Sequence, residues 1–375
     1  MGGDPGDDML SWDESVFRNE HVFEIDYVPE TFKHRESQME SLKYALRPAV
    51  RGSRPLNCLV QGPPGTGKTT AVYKVFDELA TQSGVRTVRV NCQVDSTRYS
   101  VFSRVFEGIF DYEPPSSGVS FKKLFGQVTD KLVEDDEVLV VALDDVNYLF
   151  YESEASDTLY SLLRAHETQG GARIGVIVVS SDLSLEVIEE LDGRVQSVFR
   201  PEEVYFPVYG EGEIVDILGE RVERGFHEDV IGPEVLDRVA ELTAESGDLR
   251  VGIDLLRRAG LNAEMRASRT VSIEDVEEAY EQSKYVHLSH SLQALSDSER
   301  SLVRVIADHD GGQAGDVYEA FHDETGLGYT RYSEIINKLE QLGIVETEYA
   351  DVDGRGRSRE LALAYDADAV NERLE

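Results

Sequence analysis

Asn57-Cys58-Leu59-Val60-Gln61, followed by Gly62-Pro63-Pro64-Gly65-Thr66-Gly67-Lys68-Thr69-Thr70, decides the fold of this chain. The second stretch fits G-x-x-x-x-G-K-[ST], a glycine-rich loop that wraps phosphate. Its setting fits as well. A short, largely apolar strand bounded by Pro55 precedes it, and Ala71-Val72-Tyr73-Lys74-Val75-Phe76 continues with helical spacing. The glycines let backbone N–H groups close around a β-phosphate, and the start of the following helix adds its dipole. Lys68 is expected at the β/γ-phosphates and the Thr69 hydroxyl on Mg²⁺, with Gly65, Thr66, Gly67 and Thr70 completing the cradle. Such a strand–loop–helix unit binds a nucleoside triphosphate.

At 375 residues the chain has room for two or three domains. It is acidic: 73 Asp and Glu stand against 37 Lys and Arg, a net charge of −36, and nine of the 37 are Lys. A nucleic-acid binder usually carries a basic footprint, so the balance alone argues against DNA. The negative charge is spread along the whole chain, however, and Arg dominates over Lys throughout. That pattern suits solubility in concentrated salt, where the Debye length is about 3 Å at 1 M and self-repulsion is screened. The acidity therefore reads as adaptation to a salty cytoplasm, as in a halophile, and says little about partners. Cys58 and Cys92 fall in strand-like runs, which fits buried thiols in a reducing compartment. Residues 1–8 are acidic and lack the apolar core of a signal peptide, and the longest apolar run, 138–143, is far too short to span a membrane. A cytoplasmic protein with no membrane partner is expected.

Residues 1–20 read as a loose, disordered tail. Tyr27-Val28-Pro29 precede an amphipathic helix at 35–46, and Val28 is a candidate for packing on a base. Strand and helix signals then alternate: strand 87–92, helices 101–110 and 121–133, strand 138–143, helix 156–167, strand 174–179 and a short strand 204–206. This predicts a parallel α/β sheet flanked by helices over residues 21–206. From 207 to 285 the pattern is all helical, near 212–225, 233–246, 249–267 and 272–284. Residues 286–375 change style again. Ser296-Asp297-Ser298-Glu299 is a capping box, and Tyr332, Ile335, Ile336, Leu339 and Leu342 are spaced for a helix that ends at Gly343. Strands 344–349 and 359–365 follow, so the segment reads as a winged helix-turn-helix.

Residues 138–143 deliver Asp144-Asp145 to the C-terminal edge of the sheet, which suits Asp144 for Mg²⁺. Asp145 stands where such ATPases place a water-polarising Glu. Being one methylene shorter, it predicts slow hydrolysis. Ser181 follows strand 174–179 and would lie beside a γ-phosphate, although serine is also common at strand ends. Arg194, in Asp192-Gly193-Arg194-Val195, and Arg250, in Gly247-Asp248-Leu249-Arg250, are candidates for contacting a γ-phosphate. Taken singly, either would read as a surface ion-pair partner.

The 57–77 block, Leu143-Asp144-Asp145, Asp192-Gly193-Arg194-Val195, Phe206-Pro207-Val208-Tyr209 and Gly247-Asp248-Leu249-Arg250 occur in that order. With Tyr27-Val28-Pro29, His34-Arg35-Glu36 and the terminal winged helix, they resemble the archaeal initiator family related to the eukaryotic origin-recognition and helicase-loading AAA+ ATPases. The resemblance covers about residues 22–365. It implies an AAA+ base, an α-helical lid and a DNA-binding winged helix, with ATP/ADP and Mg²⁺ as cofactors. It implies that Lys68 and Thr69 are the Walker A pair, Asp144 the Walker B metal carboxylate, Arg194 the arginine finger and Arg250 the second sensor. Tyr209 and Arg221 would help hold the nucleotide. Asp145 in place of Glu, and Ser181 where a first-sensor Asn is expected, depart from the pattern. The family also carries an inserted helical element that touches DNA, here within about 94–120, where Arg98 and Arg104 lie.

Arg355, Arg357 and Arg359 alternate, so on an extended hairpin arm all three point to one face, suited to a minor groove and phosphates. Arg331 and Lys338 on the preceding helix are weaker DNA-binding candidates, offset by Glu334 and Glu340. The function expected is an ATP-dependent replication initiator that binds duplex origin repeats and helps recruit the replicative helicase, with possible self-association on DNA. Two rivals stay open: a non-initiating paralogue, and a regulatory AAA+ ATPase whose winged helix makes protein contacts.

Overall fold

The structure, a computed structural model, describes residues 15–24, 27–82, 84–115, 119–167, 171–293, 295–309, 311–352 and 356–374. The chain divides between Ile273 and Glu274 into two compact units.

The first unit opens with α1 (Glu36–Val50), β1 (Cys58–Gln61), α2 (Lys68–Ala80), β2 (Val85–Asn91), α3 (Arg98–Phe110), α4 (Phe121–Glu134) and β3 (Val138–Asp144). Next come α5 (Asn147–Tyr151), α6 (Ala155–Leu163), β4 (Arg173–Ser180), α7 (Gly193–Gln196) and β5 (Glu202–Tyr205). The five strands are parallel, in the order β2-β3-β4-β1-β5. Strand β3 shows why the sheet forms. All seven of its residues are buried. Val138, Val140 and Ala142 enter the core shared with α1 and α2, while Leu139, Val141 and Leu143 enter the core shared with α3, α4 and α6. A continuous apolar run is what a strand covered on both faces requires. The predicted helix at 156–167 is two elements, α6 and a short 3-10 turn at Ala165–Glu167.

Four helices follow: α8 (Glu211–Gly225), α9 (Pro233–Ser246), α10 (Leu249–Met265) and α11 (Ile273–Gln293). Gly247 takes a left-handed conformation, φ 68°, and makes the tight turn from α9 into α10. The predicted boundary between residues 285 and 286 needs correction. No Gly or Pro interrupts 273–293, and α11 runs through that point as one 21-residue helix.

A second correction concerns the N-terminus. Residues 15–20 are part of the fold and not of a loose tail. Val16, Phe17, Val22 and Phe23 are buried among charged neighbours, a spacing too irregular to read as a helix or strand. Phe17 forms a β-bridge with Phe226 and stacks on it, and Phe23 packs on both rings. Arg18 and Asn19 donate from their backbones to the Gly225 carbonyl. The segment is thus a strap bound to α8 and α10.

The second unit contains all of α11 after Ile273, then α12 (Asp297–Asp308), β6 (Gly312–Gln313), α13 (Ala314–Thr325), α14 (Tyr329–Gln341), β7 (Val345–Val352), β8 (Gly356–Leu363) and α15 (Ala367–Leu374). Its antiparallel sheet has the order β6-β8-β7. Leu302, Val303 and Ile306 of α12 meet Phe321 of α13 and Tyr332, Ile335, Ile336 and Leu339 of α14 in one core. The Ser296–Glu299 capping box forms, and Gly343 (φ 66°) follows α14. Neither β6 nor α15 was expected: one is two residues long and the other lies beyond the hairpin.

Candidate nucleotide-binding site

The strand order sets the site. The loop after β1 emerges between β4 and β5, so the phosphate loop, Ser181 after β4 and Asp144 at the end of β3 share the sheet's C-terminal edge. Two loop glycines have no substitute. A Cβ at Gly62 would collide with the Phe206 carbonyl, where the loop turns against the end of β5. Gly65 (φ 68°) lies so close to Asp248 that a Cβ there would overlap its carboxylate.

Lys68, the first residue of α2, is 4% exposed and donates from Nζ to the Gly62 and Pro63 carbonyls at 2.7 and 2.6 Å. The Thr66 hydroxyl closes the same turn onto the Pro63 carbonyl. Burial pushes the Lys68 ammonium down to about 8; nearby Arg250 adds to the push, and Asp145, Asp144 and Asp248 oppose it. A bound polyphosphate would restore the charged form, so nucleotide binding above pH 8 takes up a proton. The sign follows from linkage: the bound state holds more protons between about 8 and the ordinary value of 10.5, so affinity is highest below pH 8 and falls as pH rises through that window. Calorimetric ADP titrations at pH 7 and 9 in buffers of different ionisation enthalpy should show uptake only at pH 9. Equal affinity and no uptake would refute it.

Asp144 is buried, and its two oxygens are divided. Oδ1 accepts from the Thr69 hydroxyl at 3.3 Å and Oδ2 from Arg89 Nη1 at 3.2 Å. Burial, reinforced by adjacent Asp145, raises its pKa, while Thr69 and Arg89 pull it back. Asp145 has φ 52°, and its Oδ1 accepts from the Ser181 hydroxyl at 3.4 Å. Ser181, Asp145, Asp144 and Thr69 therefore form one connected edge. The Thr69 and Asp144 oxygens are a hard donor pair of the kind Mg²⁺ takes. Thr70 lies half-buried beside them in α2.

The helical lid touches this edge directly. The Asp248 side chain caps α10 by accepting from the Arg250 backbone at 2.8 Å, and it pairs with the Arg250 guanidinium. That turn lies on Gly65. Tyr209 is buried with its hydroxyl beside Gly67, as is Phe32.

Arg35 joins these parts. It is 2% exposed, the largest side chain among those almost wholly buried. Its Nε donates to the Thr66 carbonyl in the phosphate loop at 3.1 Å, Nη1 to His34 at 2.8 Å and Nη2 to Pro207, before the lid, at 2.6 Å. Its guanidinium lies 3.6 Å from the centre of the Tyr209 ring. Arg35 and Arg89 were not given roles in the sequence reading. His34-Arg35-Glu36 was visible as a motif, but Arg89, one of two arginines in β2, carries no signal until the β2–β3 pairing exists.

Other candidates are placed differently. Val28 lies half-buried in the extended connection between strap and base. Arg221 is not turned to the phosphate loop: it donates to the Val22 carbonyl and covers the Tyr27 ring at 4.5 Å. The strap missed in the sequence accounts for this. Arg194 sits exposed on α7, paired with Asp157 and Asp192 and lying over Tyr160. These contacts hold it to α6 and to the start of α7, away from the phosphate loop. Arg98 pairs with Asp157 and Arg104 with Asp95 and Glu107, so both basic residues of the expected inserted element have carboxylate partners.

In the second unit, Lys338 donates to both oxygens of Glu299 at 3.0 and 2.9 Å. Glu299 is the buried capping residue of α12, so Lys338 neutralises a carboxylate the fold must bury. Arg331 pairs with Glu334, and Arg359 reaches back to Glu340 on α14 at 2.8 Å. Arg359 thereby ties β8 to α14. Arg357 is opposite Asp351 in the β7–β8 register. The Arg357 side chain and Arg355 lie outside the described residues.

Comparison with known proteins gives consistent results. A profile described as an AAA ATPase domain matches residues 31–179, and one described as a Cdc6 AAA+ ATPase-type lid domain matches 215–281. The chain is 76% identical over 375 residues to ORC1-type DNA replication protein 3 of Haloarcula marismortui, with 100% of both chains covered. It is 69% identical over 374 residues to ORC1-type DNA replication protein 6 of Halobacterium salinarum, again covering both in full. Among solved structures, the Aeropyrum pernix ORC1 protein in complex with DNA aligns with TM-score 0.77 and 28% identity over 97% of each chain. The ADPNP–ADP complexes of A. pernix ORC2 align with TM-score 0.72 and 25% identity over 96% of this chain and 98% of that one. Among the described residues, no helix is long and apolar enough to cross a membrane.

Proposed function

The chain belongs to the ORC1-type DNA replication proteins, AAA+ ATPases with a Cdc6-type lid, and from that premise we propose that it is an ATP-switched initiator that binds duplex origin repeats. One observation carries the switch. The lid turn Gly247–Arg250 rests on the phosphate loop of its own base, with Asp248 against Gly65 and Arg250 close enough to Lys68 to perturb its charge. A triphosphate in that loop supplies the anion that Arg250 otherwise finds in Asp248, so ATP and ADP hold the lid differently. Lys68, the loop N–H groups and Tyr209 would hold the nucleotide; Thr69 and Asp144 would hold Mg²⁺, which supplies charge neutralisation at the phosphates.

Hydrolysis is secondary in this reading. Asp145 is short and its carboxylate is turned to Ser181, which favours a slow clock over a motor. Arg194, exposed on α7, would act on the nucleotide of a neighbouring copy on DNA. Self-association and recruitment of the replicative helicase belong to this proposal.

The winged-helix reading of the second unit rests on α12, α13, α14 and the β7–β8 hairpin. With Lys338 and Arg359 tied internally, DNA contact falls on Arg355 and Arg357. Duplex footprinting in concentrated KCl, on DNA flanking the protein's own gene, should show repeated protected sites. An Arg355→Ala/Arg357→Ala variant should lose them, because the wing's minor-groove and phosphate contacts go with the two arginines. Protection that survives the double substitution would remove the wing from the interface. No protection by the wild type with ATP or ADP would favour a regulatory ATPase that does not bind DNA.

A further inference from the structure

Arg89 is the one basic side chain among the described hydrogen-bond partners of Asp144. Its position follows from strand alternation. Val88 and Val90 point into the core on the α3 side of the sheet, so Arg89 points to the α2 side. There α2 presents Thr69 and, one turn later, Tyr73. The guanidinium lies 4.3 Å from the centre of the Tyr73 ring while Nη1 donates to Asp144 Oδ2. The ion pair spans a side chain 32% exposed and one 6% exposed. Asp144 is thus fixed and buried, and Arg89 has solvent beside it into which it can retract.

The chemistry of the edge makes this pairing consequential. Asp144 and Asp145 are adjacent carboxylates whose combined negative charge draws a cation to this edge. In the nucleotide-bound state of the proposed function that cation is Mg²⁺. In the free chain it is Arg89, and both cations use the same carboxylate. A monovalent cation held on Oδ2 repels an incoming divalent ion, and partly buried charges are poorly screened even in concentrated salt.

We propose that Arg89 is a built-in counter-cation of Asp144, held in reserve on Tyr73, that sets the magnesium concentration at which the nucleotide site loads. It is a positioning residue: it keeps the Asp144 carboxylate aimed at Thr69 in the metal-free chain, and releases Oδ2 when Mg²⁺ arrives with nucleotide. This rests on the nucleotide reading above.

The test is an equilibrium Mg²⁺ titration of fluorescent mant-ADP binding at fixed ionic strength, with wild type, Arg89→Met, Arg89→Lys and Tyr73→Leu. Without Arg89 the divalent ion has no competitor, so the half-saturating Mg²⁺ concentration should fall about tenfold in Arg89→Met. Arg89→Lys, which keeps the charge, should stay within about threefold of wild type. Tyr73→Leu removes the ring under the guanidinium but leaves Asp144 intact, and should lower the midpoint by about threefold. It keeps the test open should Arg89→Met fail to fold. A midpoint for Arg89→Met, or for Tyr73→Leu where Arg89→Met does not fold, that stays within twofold of wild type or rises would overturn the proposal. Wild type that binds no mant-ADP at any Mg²⁺ concentration would overturn the nucleotide reading, and this inference with it.

Discussion

Lys68→Ala is expected to reduce ATP and ADP affinity by roughly a thousandfold while leaving the nucleotide-free protein at least as stable as wild type. The first part follows from burial. Lys68 is 4% exposed at the start of α2, and its ammonium would face phosphate with little water to screen the pair. Truncating one side of a buried, hydrogen-bonded charge pair costs about 2–5 kcal/mol, and about 4 kcal/mol is three decades of affinity. The second part follows from the free state. There the ammonium is buried on the Gly62 and Pro63 carbonyls, and its depressed pKa shows that the fold disfavours the charged form. Alanine relieves that penalty and leaves the two carbonyls to water entering the vacated space. Thermal unfolding with and without ADP separates the effects. Wild type should gain stability in proportion to the logarithm of ligand concentration. The variant should start as high and gain almost nothing. A variant that still binds ADP within tenfold of wild type would disprove the assigned role.

The sheet and the phosphate loop were legible because their signals are local. An apolar run such as Val138–Leu143 needs two covered faces wherever it sits, and Gly62–Thr69 encodes its own loop conformation through glycine and the helix that follows. The capping box at Ser296 was legible for the same reason: Glu299 returns to the Ser296 N–H within one turn. What sequence did not show depends on distant partners. Phe17 became part of the fold only because Phe226, more than two hundred residues away, offers a ring to stack on. Arg221 looked free for nucleotide because its acceptor, the Val22 carbonyl, belongs to that same strap. Charge counting along the chain cannot reveal that Lys338 of α14 is taken up by Glu299 of α12, or that Arg359 of β8 reaches Glu340 of α14. In a chain with twice as many acidic as basic residues, counting basic residues along one element says little until their partners in space are known.

Removal of Arg35 should be the most destabilising single change at the site. Its guanidinium donates to three backbone carbonyls, of His34, Thr66 and Pro207, and to no carboxylate. Burial lowers its pKa, with Tyr209, Glu213 and Glu36 partly offsetting that effect. Arg35→Met keeps much of the volume and removes every donor. Buried acceptors left without partners cost about 1–3 kcal/mol each, and the relieved desolvation of the guanidinium returns part of that. The expected net loss is about 3 kcal/mol, a fall of roughly 6–12 °C in thermal midpoint for a unit of this size. Arg35→Lys keeps the charge but has neither the planar fork for three carbonyls nor a flat face for Tyr209, so it should recover less than half of the loss. Unfolding in concentrated KCl checks both, and a change below about 1 kcal/mol for Arg35→Met would show that the clasp is not structural. The comparison with Lys68→Ala is informative. Lys68 serves the ligand and burdens the free fold, so its loss appears only when nucleotide is added. Arg35 binds the phosphate loop to the start of the lid, so its loss should appear without nucleotide and then again as weaker nucleotide binding, because the Thr66 peptide that faces the phosphates has lost its tether.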